Sequence, residues 1–215
     1  MKSFNNNLTI LSNTCIAGKV YHELNLRFCS PTINTFIPQK DFVKFCLNRD
    51  YYLKEELTFL KNNSNKDAML GDIRVGFGHY ETCEIAKNKW NERKLRITDN
   101  LFIIASDGNG VSREELNQLS EIGAKRVLVL LSRKDKSVVN GFCLYSMLGL
   151  ESAATHMLIL DKKKRQTFFS EINFKRWIKG KKRFRKIKSY YFLMVYLARM
   201  VIKKLLFSRK QTSKQ

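Results

Sequence analysis

Two predicted buried strands limit most strongly the folds open to this chain: the continuous apolar run Leu101–Ala105, and Arg126–Leu131, which is apolar after its first residue. A strand with no polar face must be covered on both sides, as it is in a parallel sheet flanked by helices. Between the runs, Ser112 and Glu115 have the spacing of a helix capping box, and Gly123 stands where a helix C-cap belongs. This order predicts a strand–helix–strand unit with parallel strands.

The rest of the first 160 residues continues the alternation of strands and helices. Further strands are expected at Leu8–Leu11, Ile33–Ile37 and Asp72–Tyr80, and helices after Thr14, over Asp41–Leu47 and after Thr82. We therefore predict a three-layer α/β/α domain with a mostly parallel sheet over residues 1–160.

The charge of the chain is concentrated at its C-terminal end. The 215 residues include 40 Lys and Arg against 19 Asp and Glu, for a net charge of +21. Residues 161–215 hold 19 basic and 2 acidic residues, a net of +17, which leaves +4 for the first 160. A function inferred from basicity therefore belongs to the segment 161–215.

This C-terminal segment has the composition of a basic amphipathic helical tail. Cations are interleaved with aromatics over Lys175–Lys188, and an apolar stretch, Tyr190–Ala198, ends at Arg199. That stretch is about half of the ~20 residues that a spanning helix needs, so we expect a helix lying in a membrane interface. The expected partners are anionic lipids of the inner leaflet. The membrane-binding residues would be Lys175, Arg176, Trp177, Lys181, Lys182, Arg183, Phe192 and Leu193.

Cysteine usage and the N-terminal segment indicate the compartment. Five cysteines without a Cys-x-x-Cys pair are typical of reduced thiols in the cytosol. The polar N-terminal segment lacks the apolar stretch of a signal peptide, so we expect no export. The prediction is a cytoplasmic protein, peripheral at the inner face of the cell membrane. Three histidines without paired spacing predict no metal site.

Loops after the predicted strands carry the candidate catalytic groups, because ligands bind beyond the carboxyl ends of parallel strands. His79 could be a general base, oriented by Asp72 or Asp107. Cys15, near a helix N-terminus, could be a nucleophile. The alternative is a structural role for each: a hydrogen-bonded histidine, a packed thiol and a turn-forming aspartate.

Common cofactor motifs are missing from the chain. There is no Gly-x-Gly-x-x-Gly, no P-loop and no Gly-x-Ser-x-Gly elbow. No cofactor is therefore predicted.

A series of short motifs falls in one order over about residues 6–135: Leu8–Cys15, Ser30–Thr32, Asp41–Phe42, Leu70–Ile73, His79–Tyr80, Lys89–Trp90 with Arg93 and Arg96, and Asn100–Phe102 with Ser106–Asp107. That succession resembles a family of bacterial exopolysaccharide and capsule biosynthesis proteins that is known as a domain of unknown function. The resemblance implies an α/β fold and a role in making or decorating surface polysaccharide.

Carried over to this chain, the resemblance implies a site that includes the catalytic candidates above. The substrate-binding residues would be Ser12, Asn13, Ser30, Thr32 and Arg93. We expect a transferase that moves a glycosyl, acyl or phosphoryl group onto a lipid-linked or polymeric glycan. Its activated donor would be a nucleotide-sugar or an acyl donor.

Two alternatives stay open at this point. The chain could be a non-enzymatic scaffold or regulator that works with other polysaccharide-assembly proteins. The less favoured alternative is a nucleic-acid-binding protein, because aromatics and cations also alternate in single-strand binders.

Overall fold

The computed structural model describes residues 7–61, 63–108, 110–148 and 171–212, with side chains to residue 203. Its strands are β1 Thr9–Ser12, β2 Leu57–Phe59, β3 Asp67–Leu70, β4 Ile73–Gly76, β5 Leu101–Ser106, β6 Arg126–Leu131 and β7 Gly141–Cys143. Its helices are α1 Ile16–Glu23, α2 Gln39–Leu47, α3 Arg49–Tyr52, α4 Cys83–Lys94, α5 Arg113–Gln118, α6 Phe174–Ile178 and α7 Ser189–Thr212.

The central sheet has four parallel strands in the order β1-β5-β6-β7. Ser12 pairs with Ile104, and Ser106 pairs with Leu130. Because every strand runs the same way, all four carboxyl ends lie at one edge. We call this the carboxyl edge.

Both faces of the central sheet are buried, which confirms the three-layer α/β prediction. Ile103 and Val129 point into a core that includes residues of α2, α4 and α5. Phe102 and Leu128, one position away, point into the opposite core with residues of α1 and α6. Successive side chains of a strand face opposite sides, so the continuous apolar runs serve two cores at once.

Predicted helix caps are confirmed at two positions. The Thr82 side chain accepts a hydrogen bond from the Ile85 amide at the start of α4. Ser112 and Glu115 form the complete capping box of α5. Since these side chains satisfy backbone amides that the helix leaves unpaired, short local sequences were sufficient to predict both helix starts.

Two strand predictions differ from the structure. The structure has a second, antiparallel sheet that consists of β2, β3 and β4. The stretch predicted over Asp72–Tyr80 forms β4, which pairs with β3 and not with the parallel strands. The predicted strand at Ile33–Ile37 is wrong: the segment turns, and Phe36 makes one isolated bridge with Gly76.

The C-terminal segment is partly integrated into the α/β body. Ile172, Phe174 and Trp177 are buried in the same core as Phe102. The predicted boundary at residue 160 lies outside the described residues. The core nevertheless extends past it, to α6.

The predicted helical C-terminal piece is present as α7, which follows α6 after a short basic connection. Along the described part of the chain, no helix combines the length and the apolarity needed to cross a bilayer.

Candidate functional site at the carboxyl edge

Asn13 and Ser106 meet where β1 and β5 end, because these two parallel strands are neighbours in the sheet. Asn13 Nδ2 donates to Ser106 Oγ at 2.9 Å, and Ser106 Oγ donates back to Asn13 Oδ1 at 3.2 Å. Both residues are almost completely buried. Their polar atoms are used within the fold, because a buried amide without partners is costly.

Ser12, Ser30 and Thr32 form a second buried network beside this pair. Thr32 Oγ1 accepts from the Ser12 amide at 3.1 Å and lies 3.0 Å from Ser30 Oγ. All three residues are 0% exposed. The structure thus brings these predicted substrate-binding residues together. Their hydrogen bonds connect β1 to the loop before α2.

Asp107 lies at the end of β5 and lines a pocket of about 470 Å³. Its Oδ2 accepts two hydrogen bonds from Ser132, from the amide at 2.8 Å and from Oγ at 3.0 Å. Arg113 and Asp135 also line this pocket and form an ion pair at 2.8 Å. Asp107 is half-buried, so its carboxylate is held in place at the margin of an opening lined by both polar and apolar side chains.

A larger pocket of about 670 Å³ adjoins the first at the ends of β6 and β7, and the two share Leu131, Asp135 and Val138. Lys134 and Lys136 line it from the loop after β6, and Leu193 lines it from α7. The carboxyl edge therefore carries adjoining openings, one beside Asp107 and one beside the C-terminal helix.

Glu171 and Arg185 fix the wall of the larger pocket. Glu171 is 0% exposed and accepts hydrogen bonds from the Tyr145 amide at 2.8 Å and from Arg185 Nη1 at 3.1 Å. The Arg185 guanidinium stands 4.0 Å from the Phe142 ring centroid and 3.9 Å from that of Tyr145. A buried charge pair with additional hydrogen bonds and aromatic contacts holds one geometry.

Cys15 is the N-cap residue of α1, three residues after the last residue of β1. It is half-buried, so part of the side chain is accessible at the carboxyl edge. The structure places it on the same edge as Asp107, because β1 and β5 are neighbouring parallel strands.

Asp72 lies in the turn between β3 and β4 and is held by other partners than the predicted histidine. Tyr52 Oη donates to Asp72 Oδ1 at 2.7 Å, and Lys44 Nζ contacts Oδ2. The hydrogen bond from Lys44, and then that from Tyr52, lower the pKa of Asp72. β4 separates Asp72 from His79, so the structure does not bring these two residues together.

His79 is exposed on the segment that follows β4. Nearby, Phe36 pairs with Gly76, and the next residue, Ile37, donates its amide to the Asn13 carbonyl at 2.9 Å. The end of β4 is thus linked to the end of β1 through residues 36–37, although the two strands belong to different sheets.

Arg93 is buried in α4 with 8% exposure. Its Nη1 donates to Tyr80 Oη at 2.6 Å, and Tyr80 Oη donates to the Ile33 carbonyl at 2.6 Å. The guanidinium also lies 5.3 Å from the Phe28 ring centroid. Arg93 therefore holds the loop that carries Ser30 and Thr32.

The predicted membrane-binding residues divide into exposed and buried sets. Among them the exposed cations are Lys175, Arg176, Lys181, Lys182 and Arg183, while Phe192 and Leu193 are half-buried on α7. Trp177 corrects the prediction: it is 3% exposed, with its ring 5.7 Å from that of Phe102, and fills the core.

The polar groups that follow β6 and β7 are not among the site residues predicted from the sequence. Ser132 follows β6 as Asp107 follows β5, so the same rule about strand ends could have found it. Lys134 and Lys136 lie on the same loop after β6, so the rule covers them too. Arg185 carried no such signal, since it reaches the pocket from the connection between α6 and α7. In the described ranges, no group of three or more His, Cys, Asp or Glu side chains could hold a metal ion.

Fold and edge together define an α/β protein with pockets at the carboxyl ends of a parallel sheet. The chain belongs to the family described as Domain of unknown function (DUF1919), which matches residues 1–179 and so includes α6. It is also similar to an uncharacterized protein of Haemophilus influenzae, with 30% identity over 130 residues. That match covers 60% of this chain and 63% of the relative.

Proposed function

We propose that the chain is a membrane-peripheral transferase of exopolysaccharide or capsule biosynthesis, with its substrate at the carboxyl edge. The observation that carries the proposal is the position of α7. The helix lines the larger pocket through Leu193 and exposes apolar side chains such as Tyr191, Met194 and Leu197. A lipid-linked glycan at the inner face of the cell membrane could reach the pocket without leaving that surface.

The exposed charges support the same location. Lys181, Lys182 and Arg183 lie on the connection between α6 and α7, and Lys175 lies on α6. Cations beside an apolar helix face suit an anionic leaflet, where each adds about 1 kcal/mol of attraction. In this proposal the protein is cytoplasmic and binds inner-leaflet lipids.

The chemistry proposed for the edge is activation of a sugar hydroxyl. Such hydroxyls are poor nucleophiles at neutral pH, so transfer onto one calls for a positioned base. Asp107 lines the smaller pocket, and His79 is exposed on the segment joined to the end of β1. Cys15 is the alternative, as a covalent nucleophile. The group transferred is glycosyl, acyl or phosphoryl, from a nucleotide-sugar or acyl donor.

Complementation tests this function in the source bacterium. A strain lacking the gene receives His79→Gln, Asp107→Asn or Cys15→Ser at wild-type protein level, and surface polysaccharide is measured. The proposal expects Asp107→Asn or His79→Gln to abolish the product. His22→Gln, an exposed histidine on α1, is the matched control and should restore it. Normal polysaccharide from a strain without the gene would overturn the proposal.

A scaffold or regulator of polysaccharide assembly is the second candidate. The observation in its favour is that the side chains of Ser12, Asn13, Ser30 and Thr32 are buried in hydrogen bonds within the fold. A scaffold would need the gene for polysaccharide, yet all three variants above would restore it.

A further inference from the structure

The larger pocket combines two kinds of side chain. Lys134 and Lys136 lie on the loop after β6, while Phe142 and Leu148 supply apolar surface near β7 and Leu193 supplies it from α7. A volume of about 670 Å³ is in the range of sites that hold a small organic molecule. The lining therefore suits a ligand with an anionic part and an apolar part.

The two lysines can bind an anionic group. Within the described residues, neither Lys134 nor Lys136 forms an ion pair, and both are exposed. Asp135 lies between the two lysines in the sequence, but its carboxylate is paired with Arg113 and accepts hydrogen bonds from Ser137. Asp135 therefore does not cancel the charge of the two lysines. A pair of cations beside a pocket favours a phosphate or diphosphate.

Arg185 has a different part in this pocket. Its guanidinium is paired with Glu171, donates to the Cys143 carbonyl at 2.6 Å and lies against the rings of Phe142 and Tyr145. These contacts make Arg185 a fixed piece of the wall, which positions Phe142. The anion contacts fall to the two lysines.

The apolar side of the pocket continues onto α7. Leu193 lines the pocket, while Met194 and Leu197 are exposed on the same helix. The apolar chain of a ligand that passes Leu193 can continue along this exposed face of α7. There the ligand chain stays in contact with the membrane interface in which the helix is proposed to lie.

We propose that the pocket binds an amphiphile that joins a phosphate or diphosphate headgroup to an apolar chain. Lys134 and Lys136 contact the headgroup, and Phe142 and Leu193 contact the chain. This inference rests on the proposed function, for which it names the substrate class.

Calorimetric titration of the full-length protein tests the inference with three probes in detergent-free buffer. Farnesyl diphosphate carries both parts of the ligand, inorganic diphosphate carries the headgroup and farnesol carries the chain. Farnesyl diphosphate should bind at least about tenfold more tightly than either other probe, because it makes both sets of contacts. Equal affinity for inorganic diphosphate and farnesyl diphosphate would overturn the proposal.

Charge-matched variants locate the binding. The double variant Lys134→Ala/Lys136→Ala should weaken farnesyl diphosphate about tenfold, as expected for two partly exposed charge contacts. Lys54→Ala/Lys61→Ala removes the same charge at two exposed lysines outside the pocket and outside the C-terminal segment, and should leave the affinity unchanged. An equal loss from both double variants would show that the overall charge of the protein, and not the pocket, attracts the amphiphile, and would overturn the proposal.

A substitution at Leu193 distinguishes binding of the apolar chain from binding of the headgroup. Leu193→Asp should weaken farnesyl diphosphate and leave inorganic diphosphate within about twofold. An unchanged affinity for farnesyl diphosphate would overturn the assignment of the chain. The result of these titrations is independent of the polysaccharide assay. If the strain that lacks the gene makes no polysaccharide but the protein does not bind farnesyl diphosphate, the proposed function stands and the proposed substrate class is wrong.

Discussion

Asn13 and Ser106 exchange two hydrogen bonds across the ends of β1 and β5. The pair closes the space between two parallel strands at the edge where both pockets open. Since the two side chains are 1% exposed, neither can turn to water without opening that edge.

Ser106→Ala is expected to lower the free energy of unfolding by about 1–3 kcal/mol, because it leaves the buried Asn13 amide without its partner. Urea denaturation measures the change. Ser64→Ala, at an exposed serine, is the control and should change the stability little.

A double-mutant cycle with Asn13→Ala isolates the interaction itself. We expect a coupling energy of about 1 kcal/mol between Asn13 and Ser106. Strict additivity of the two single variants would show that the hydrogen bonds contribute nothing beyond packing.

Tyr80→Phe is expected to destabilise the protein by about 1–3 kcal/mol, because the Ile33 carbonyl and the buried Arg93 lose the hydroxyl between them. Thermal or urea unfolding measures the loss. Tyr51→Phe, at a tyrosine that is 55% exposed, provides the matched control. If both variants lose the same stability, the chain from Arg93 to Ile33 is not a structural support.

Glu171→Gln should cost about 3 kcal/mol, because Arg185 would face a neutral amide in a buried site. Limited trypsin digestion should then cut the C-terminal segment faster, since Glu171 fastens it to the body. Unfolding by urea gives the energy, and mass spectrometry gives the cleavage sites.

The control for this ion pair is Arg183→Gln, which removes an exposed cation of the same segment. It should leave both the stability and the rate of α7 cleavage near those of the wild type. Unchanged protection in Glu171→Gln would mean that other contacts hold the segment.

Asp72 predicts a pH-dependent contribution to stability. Lys44 and Tyr52 lower the pKa of Asp72 in the folded protein, so the folded state binds its proton less readily than the unfolded chain does. The contribution is present above the pKa of the unfolded chain and is lost as the pH falls through the lower, folded value. Asp72→Asn should therefore be less stable than wild type at pH 7, with the difference shrinking below roughly pH 4.

Asp99→Asn controls for removal of an exposed carboxylate elsewhere. Parallel urea titrations at several pH values compare the two variants with wild type. A stability difference for Asp72→Asn that stays constant with pH would contradict the role of its ionised form.

Membrane binding is expected to depend on the exposed face of α7. Met194→Glu/Leu197→Glu should reduce sedimentation with vesicles rich in anionic lipid by at least about tenfold, because charges replace the inserted apolar groups. Co-sedimentation at moderate salt measures the bound fraction.

Ile85→Glu/Leu95→Glu makes the same substitutions at exposed apolar residues of α4 and just after it, and should leave binding intact. Full-length protein that ignores anionic vesicles but binds RNA in a salt-sensitive way would favour the nucleic-acid alternative.

The sequence by itself determined the elements whose signals are local. The apolar runs at Leu101–Ala105 and Val127–Leu131 could be stable only between two covered faces, so they predicted a buried parallel sheet. Thr82 and Ser112 predicted helix starts because a cap satisfies amides within three residues of itself. The sequence also placed Asn13 and Ser106 at strand ends, but their meeting depends on the strand order, which puts β1 beside β5.

Tertiary structure decided what depends on partners distant in the chain. Period-two alternation predicted a strand at β4, but it could not tell which sheet would pair with it, so Asp72 was assigned to the wrong neighbour. The local sequence around Trp177 is compatible both with insertion into a membrane and with burial in a core. Only the contact with Phe102 in the tertiary structure shows that Trp177 is in the core. The larger pocket arises because Glu171 and Arg185 fasten α7 beside β7, and no spacing in the sequence records that contact.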